Sequence, residues 1–260
     1  MIALVTGASS GIGRDIAREL AKRGYNIIGV ARNKELLDNV KHELEKDYKI
    51  DVEVISMDLI DRDACRKLHE YVKNKYGTID ILVNNAGFGA CGYFTETSLE
   101  KELGMIDTNI VALHILTKLF LQDMVEENKG KILNVASIAG FMPGPLMATY
   151  YATKAYVVRL SEGIREELKK ERSKVQISIL CPGPVKTNFD EVANVKFKIR
   201  QADSMKVAKY AIKKLEKGKF YIVPGLDVKF AKLGAKIFPA NLVSKVTYLV
   251  QKRKLGGDRD

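Results

Sequence analysis

The chain has 260 residues, 46% of them hydrophobic and 29% charged, proportions close to globular averages that exclude wholesale disorder and collagen-like structure. At this length one large or two small domains are expected, with a core that needs no disulfide or metal staple. The net charge of +11 is local: residues 196–260 hold 17 Lys and Arg against 5 Asp and Glu, whereas residues 1–195 hold 26 against 27. A neutral body with a basic tail argues against a nucleic-acid binder and for something more confined.

Strands and helices alternate along the first 180 residues with little linker. Ile2–Thr6 is a short apolar run that predicts a strand, and Ile12, Ile16 and Leu20 then share one helix face. Asn26–Val30 predicts a second strand, followed by a charged helix to about Asp47 with Leu36, Leu37, Val40 and Leu44 inward. Val52–Ser56, Ile79–Val83, Lys131–Val135, Val175–Leu180 and Phe220–Val223 read as five more strands. Helices are expected over Asp61–Lys75, Asp107–Glu127 and Thr149–Glu171. Apolar strands separated by helices imply a parallel sheet covered on both faces. With right-handed crossovers this is an α/β, doubly wound, Rossmann-type sheet of about seven strands in a single domain over residues 1–225. Ligands of such sheets bind at the carboxyl ends of the strands, so the chemistry should lie just after each one.

After the first strand comes Thr6-Gly7-Ala8-Ser9-Ser10-Gly11-Ile12-Gly13. Glycines let this turn run tight, and the following helix N-terminus offers free N–H donors to a pyrophosphate. After the second strand comes Ala31-Arg32. Ala31 stands where a dinucleotide fold places an acid for the ribose 2′-hydroxyl, and Arg32 can pair with a 2′-phosphate, which favours NADP(H); a solvated arginine ahead of a helix is the alternative. Glu35 close by and a non-basic Ser10 weaken that preference. Asp58, with Leu59 beside it, follows the third strand, where its carboxylate can accept from an adenine amine; equally, Asp58 or Asp61 can cap the next helix. Asn84-Asn85-Ala86-Gly87 follows the fourth strand, and its small residues leave room for a ribose.

A Tyr and a Lys four apart share a helix face, so the ammonium can lower the phenol pKa. Four such pairs occur: Tyr71/Lys75, Tyr150/Lys154, Tyr210/Lys214 and Tyr248/Lys252. Only Tyr150 opens the helix after the fifth strand, and only Tyr150 has a serine 13 residues upstream, Ser137. With the glycine turn, Asn84–Gly87, Asn109 and Pro182-Gly183-Pro184-Val185-Lys186-Thr187, this constellation resembles the short-chain dehydrogenase/reductase family over about residues 2–190.

The resemblance implies roles. Tyr150 would be the general acid in reduction and the base in oxidation. Lys154 would lower its pKa and hold the nicotinamide ribose. Ser137 would bond the substrate carbonyl oxygen, and Asn109 would anchor a water that connects Lys154 to solvent. Pro182, Gly183, Val185 and Thr187 would line the nicotinamide, with Val185 and Thr187 on the carboxamide. The adjacent Tyr151 fits neither spacing and is read as structural. Phe88–Phe94, Phe141–Met147 and the segment from Asn188 to about Ala202, which resembles the family's mobile substrate loop, would border the substrate. Their Phe, Met and Leu content suggests a bulky apolar ketone or secondary alcohol. The resemblance also implies a homodimer or homotetramer formed by the two long helices.

Beyond Gly225 the chain continues as a basic extension, residues 226–260. Phe230, Leu233 and Ile237, then Leu242, Val246 and Leu249, recur at helical spacing with lysines among them, which predicts two amphipathic helices broken near Pro239. They could dock on the body or make peripheral contact with an anionic membrane. The extended tail resembles that of a subgroup of reductases acting on lipid-like or steroid-like ketones, which would imply a substrate of that kind. Three widely spaced cysteines, Cys65, Cys91 and Cys181, suit a reducing cytoplasm. His42, His69 and His114 show no ligand spacing, so no zinc site is expected. Ile110–Leu121, the longest mostly apolar stretch, reads as too short and polar for a membrane span, and no signal peptide is seen. Two other functions fit parts of this pattern: a non-catalytic NADP(H)-sensing regulator, and a membrane-surface or nucleic-acid scaffold led by the tail. Isomerase or dehydratase chemistry on the same fold is a further alternative within the enzyme class.

Overall fold

Apolar runs between polar turns become the strands of one sheet. The computed structural model describes residues 1–187, 189, 193 and 201–252. Its strands are β1 (Ile2–Thr6), β2 (Asn26–Ala31), β3 (Val52–Ser56), β4 (Ile81–Asn84), β5 (Lys131–Val135), β6 (Gln176–Leu180) and β7 (Tyr221–Ile222). All pair in parallel, in the order β3-β2-β1-β4-β5-β6-β7. The order reverses between β1 and β4, so their carboxyl ends open a crevice at the topological switch point.

Helices cover both faces. On one side α3 (Arg62–Tyr76), α5 (Leu113–Glu126) and α6 (Ala148–Lys170) bury Leu68, Val72, Leu116, Phe120, Met124 and Val157. On the other, α1 (Gly11–Ala21), α2 (Lys34–Tyr48) and α7 (Ser204–Glu216) bury Ile16, Leu20, Leu37, Leu44, Val207 and Leu215, whereas Leu36, expected inward on α2, is 39% exposed because it lies one position off the stripe of Leu37, Val40 and Leu44. Burying side chains of this size is worth about 1.5–3 kcal/mol each, so the two layers hold the sheet rigidly beneath the crevice. Side-chain caps fix several helix starts: Asn33 accepts from the Leu36 N–H, Asp61 from Asp63, and Asp203 from Lys206.

Two helices lie outside the elements expected from sequence. One is α7, whose Val207, Ala211, Ile212 and Leu215 are buried on a helical spacing behind the Asp203 cap. The other is α4 (Leu99–Ile106), which Ser98 caps. A π-helical turn, Asp107–Ala112, joins α4 to α5. The expected apolar stretch Ile110–Leu121 is thereby extended: Leu99–Glu126 is one 28-residue helical run, long and apolar enough to cross a membrane by length and composition. Its inward face, Leu113, Leu116, Phe120 and Met124, belongs to the core.

The expected tail helices form as α8 (Leu226–Ile237) and α9 (Ala240–Lys252), broken at Pro239. The predicted loop from Asn188 lies mostly outside the described residues, as do Arg253 and Lys254. Its base is described: Val185 bridges Ala202, with Lys186 N–H donating to the Ala202 carbonyl at 3.0 Å.

Candidate active site

The crevice is built around a clamp between β1 and β4. Thr6 Oγ1 accepts from the N–H groups of Asn85 and Ala86 at 2.9 and 3.0 Å. Asn85 Nδ2 donates back to the Thr6 and Gly7 carbonyls at 3.0 and 3.3 Å. Asn85, expected among the cofactor contacts, holds the glycine turn with its side-chain amide. Gly13 packs so tightly there that a Cβ would lie 2.2 Å from the Gly7 carbonyl oxygen. Gly7 and Gly11 take φ of +65° and +55°, which glycine adopts without strain.

Helix α1 differs from its neighbours at its start. Ser10, its N-cap, makes no side-chain cap bond, and no acid occupies the first turn. Its leading N–H groups are therefore left for an external anion, with Ser9, Ser10, Gly11 and Ile12 around them. Thr187 closes the other side, its methyl 2.9 Å from where a Gly11 Cβ would stand. This cradle fits a dinucleotide pyrophosphate.

The adenosine end is marked by Arg32 and Asp58 at the ends of β2 and β3. Their side chains are 4.0 Å apart and largely exposed. Asp61 caps α3, while Asp58 accepts only the nearby Ile60 N–H at 3.1 Å. The Leu59 side chain is buried in the core, so only its backbone is available to a base. On the far side of the crevice Pro182 accepts from the Ile138 N–H at 2.9 Å, which ties the loop after β6 to the loop after β5. Val228 of α8 packs at Gly183, where a Cβ would meet it at 2.8 Å.

Ser137, Tyr150 and Lys154 come together beyond β5. Ser137 caps a 3-10 turn, Ile138–Phe141, accepting from the Ala139 N–H at 3.2 Å. Tyr150 sits in the first turn of α6, with its phenol close enough to the Ser137 hydroxyl to feel it. Lys154, one turn further, lies 5.8 Å from the centre of the Tyr150 ring and donates to the Val135 carbonyl at 3.0 Å. Burial pushes the Lys154 amine down to about 8. Burial also raises the Tyr150 phenol, and the Ser137 hydroxyl only partly opposes it. The lowering of the phenol expected from Lys154 is not seen: burial dominates, and Ser137 alone opposes it.

Asn109 arrives through the π-helical turn, a feature frequent at functional sites. Its Oδ1 accepts from the Phe88 N–H at 3.0 Å. Its Nδ2 donates to the Phe88 carbonyl at 2.9 Å and to Thr153 Oγ1 at 3.0 Å. It thus pins the segment after β4 to α6. Gly87 is wedged here, since a Cβ would stand 2.7 Å from Asn109 Oδ1 and 3.6 Å from Lys154 Nζ.

Sequence reasoning missed the aromatic wall and the tail's share in it. Phe189 packs on the Tyr150 ring at 5.3 Å, and both rings crowd Gly89. Tyr151 lies edge-on to Tyr150 at 6.1 Å and bonds Gln251 of α9. No local pattern announces these contacts, because they join segments about 40 and 100 residues apart. The other pairs stand apart from Ser137; Tyr71 and Lys75, for example, bond Glu53 on the edge strand β3, while Tyr248 of α9 meets Tyr93.

A sequence profile described as short chain dehydrogenase matches residues 1–196. An uncharacterized oxidoreductase of Staphylococcus saprophyticus is 34% identical over 213 residues, covering 81% of this chain and 90% of that protein. A very-long-chain 3-oxoacyl-CoA reductase of Laccaria bicolor is 35% identical over 178 residues, 67% of this chain, which spans about half (52%) of that longer relative. Among solved structures, a Sphingobium yanoikuyae short-chain dehydrogenase in complex with NADPH superposes with a TM-score of 0.82 at 28% identity, covering 90% of this chain and 92% of that one. The bulky-bulky ketone specific alcohol dehydrogenase of Comamonas testosteroni superposes with 0.77 at 28% identity, covering 90% and 93%. With a matching profile over three quarters of its length and the Ser137, Tyr150, Lys154 cluster at the crevice, the chain belongs to the short-chain dehydrogenase/reductase family of oxidoreductases.

Proposed function

We propose that this protein is an NADP(H)-dependent oxidoreductase that interconverts a bulky apolar ketone and its secondary alcohol. The observation that carries the reading is Tyr150, beside Ser137 and one helical turn from a buried Lys154, at the mouth of a cradle that fits a dinucleotide. The NADPH complex and the ketone-specific enzyme among the structural relatives support it.

The nicotinamide, when bound, supplies or accepts the hydride. The chain's own residues do the rest. The uncapped start of α1 holds the pyrophosphate, and Arg32 pairs with the 2′-phosphate. Asp58 and the Leu59 backbone border the adenine, Ala86 and Gly87 the adjoining ribose. Val185 and Thr187 hold the carboxamide, beside Pro182 and Gly183. Ser137 donates to the substrate carbonyl oxygen and steadies charge developing there. Tyr150 gives its proton to that oxygen in reduction and takes it back in oxidation. A raised phenol keeps that proton through the neutral range. Lys154, near 8, exchanges protons at accessible pH, with the Asn109 turn and a water leading to solvent.

Phe189, packed on Tyr150 and Gly89, makes this side of the site apolar, so the substrate is lipid-like, steroid-like or aromatic. Residues 1–225 form the catalytic domain and residues 226–260 an extension of it. The protein acts in the cytoplasm as a homodimer or homotetramer, using the outer faces of α4, α5 and α6, where Leu99 and Leu103 are 63% and 49% exposed. The test is a 340 nm screen of hydroxysteroids, 3-keto acyl chains and aromatic ketones, with NADPH and NADH in parallel. Turnover with NADPH is expected; no turnover of any ketone, or preference for NADH, refutes the reading.

A further inference from the structure

Helices α8 and α9 are amphipathic in the wrong sense for a tail that only docks on its own protein. On α9 the buried positions are polar: Thr247 donates to the Pro143 carbonyl at 2.9 Å, and Gln251 bonds Tyr151. Tyr248 meets Tyr93 at 3.2 Å. The outward positions Leu242, Val246 and Leu249 are 48%, 53% and 58% exposed. On α8 only Val228 is buried, whereas Leu226, Phe230, Leu233 and Ile237, spaced along one helix face, are 52–70% exposed. A surface helix of a water-soluble protein turns its apolar stripe to the core, and a contiguous apolar face left outside marks an interaction site.

We infer that this face is a docking surface for an anionic phospholipid bilayer, and that docking presses the rim of the substrate site against the lipid. Charge decides the occupant. Lys229, Lys236 and Lys245 are exposed among the apolar side chains, and Asp227 is the one acid within residues 226–252. A second copy meeting this face about a two-fold axis would set these lysines against their own mates. An apolar face with a lysine collar suits an anionic interface on both counts. Lys232 is not part of the collar, being stacked on Phe141 at 4.5 Å and Tyr221 at 3.2 Å.

Position gives the docking its consequence. The anchors Pro143, Tyr151 and Tyr93 belong to the loops and helix start that border the substrate site, so α9 is part of that rim. A ketone dissolved in the bilayer would reach Tyr150 without crossing water. This second half rests on the proposed reductase activity; the docking itself does not.

The full chain should sediment with vesicles holding roughly 30% phosphatidylserine at about 0.15 M salt and remain in solution with phosphatidylcholine alone. The double substitution Phe230→Glu, Leu233→Glu should lower vesicle partitioning about a hundredfold, each large side chain being worth about tenfold. Both positions are exposed, so the fold and turnover of a water-soluble ketone should survive, while turnover of a vesicle-borne ketone falls. Lys229→Glu, Lys236→Glu should weaken binding while leaving the apolar face intact. Protein that stays in solution with anionic vesicles, or a double variant that sediments as well as the parent, overturns the inference. So does a double variant that instead dissociates an oligomer of vesicle-free protein. If no ketone is turned over at all, the reductase reading fails while sedimentation still decides the docking.

Discussion

Replacing Tyr150 by phenylalanine removes one oxygen and keeps the ring. The ring contacts to Tyr151 and Phe189 stay, and no more than one hydrogen bond, toward Ser137, is lost. A net hydrogen bond is worth about 1 kcal/mol, which in a chain of this size shifts Tm by about 2–4 °C. The catalytic loss should be far larger. A positioned general acid contributes about 10²–10⁴-fold, or roughly 3–5.5 kcal/mol of barrier. NADPH affinity should change little. The assay is kcat/KM at 340 nm beside a thermal melt and NADPH binding by fluorescence, with Tyr71→Phe as control. Tyr71 bonds Glu53 on the edge strand, so its loss should leave kcat/KM unchanged. A Tyr150→Phe variant within about tenfold of the parent, or one no worse than Tyr71→Phe, would refute the role of the phenol.

Lys154→Met should abolish turnover yet fold well, and its pH dependence should reveal the buried amine. Burial lowers the Lys154 pKa from 10.5 to about 8, so the unfolded chain binds the extra proton between those values and the parent gains stability as pH rises through them. The variant lacks that gain, and denaturant melts at about pH 7.5 and pH 10 should show the parent improving relative to it; parallel behaviour would mean that Lys154 is not desolvated. Ketone reduction should be flat through neutral pH and fall only in alkali, because the raised phenol stays protonated; a rate that climbs from pH 6 to 8 contradicts this. Arg32→Ala should raise the KM for NADPH about tenfold to a hundredfold and leave that for NADH unchanged. Gly13→Ala must push a methyl against the Gly7 carbonyl, which should cost about 1–3 kcal/mol and weaken binding of either cofactor, measured by melts with and without NADPH.

The local pattern determined a good deal. Seven apolar runs became the seven strands within a residue or two, because burial on both faces demands continuous apolar side chains. The glycine turn and the helix bearing Tyr150 and Lys154 were legible because each depends on short-range spacing. Helix α7 had its spacing and its Asp203 cap in plain sight and went unread. Other features were decided only by the tertiary structure. That Asn109 holds Phe88 and Thr153, that Asn85 serves the turn, and that Tyr151 meets Gln251 follow from segments meeting in space. So does the raised phenol of Tyr150, since desolvation depends on what surrounds a group and not on its neighbours in the chain. The tail shows the division most clearly: its periodicity specified two amphipathic helices, but periodicity carries no sense of inside and outside, and only packing against the rim settled that their apolar sides face outward.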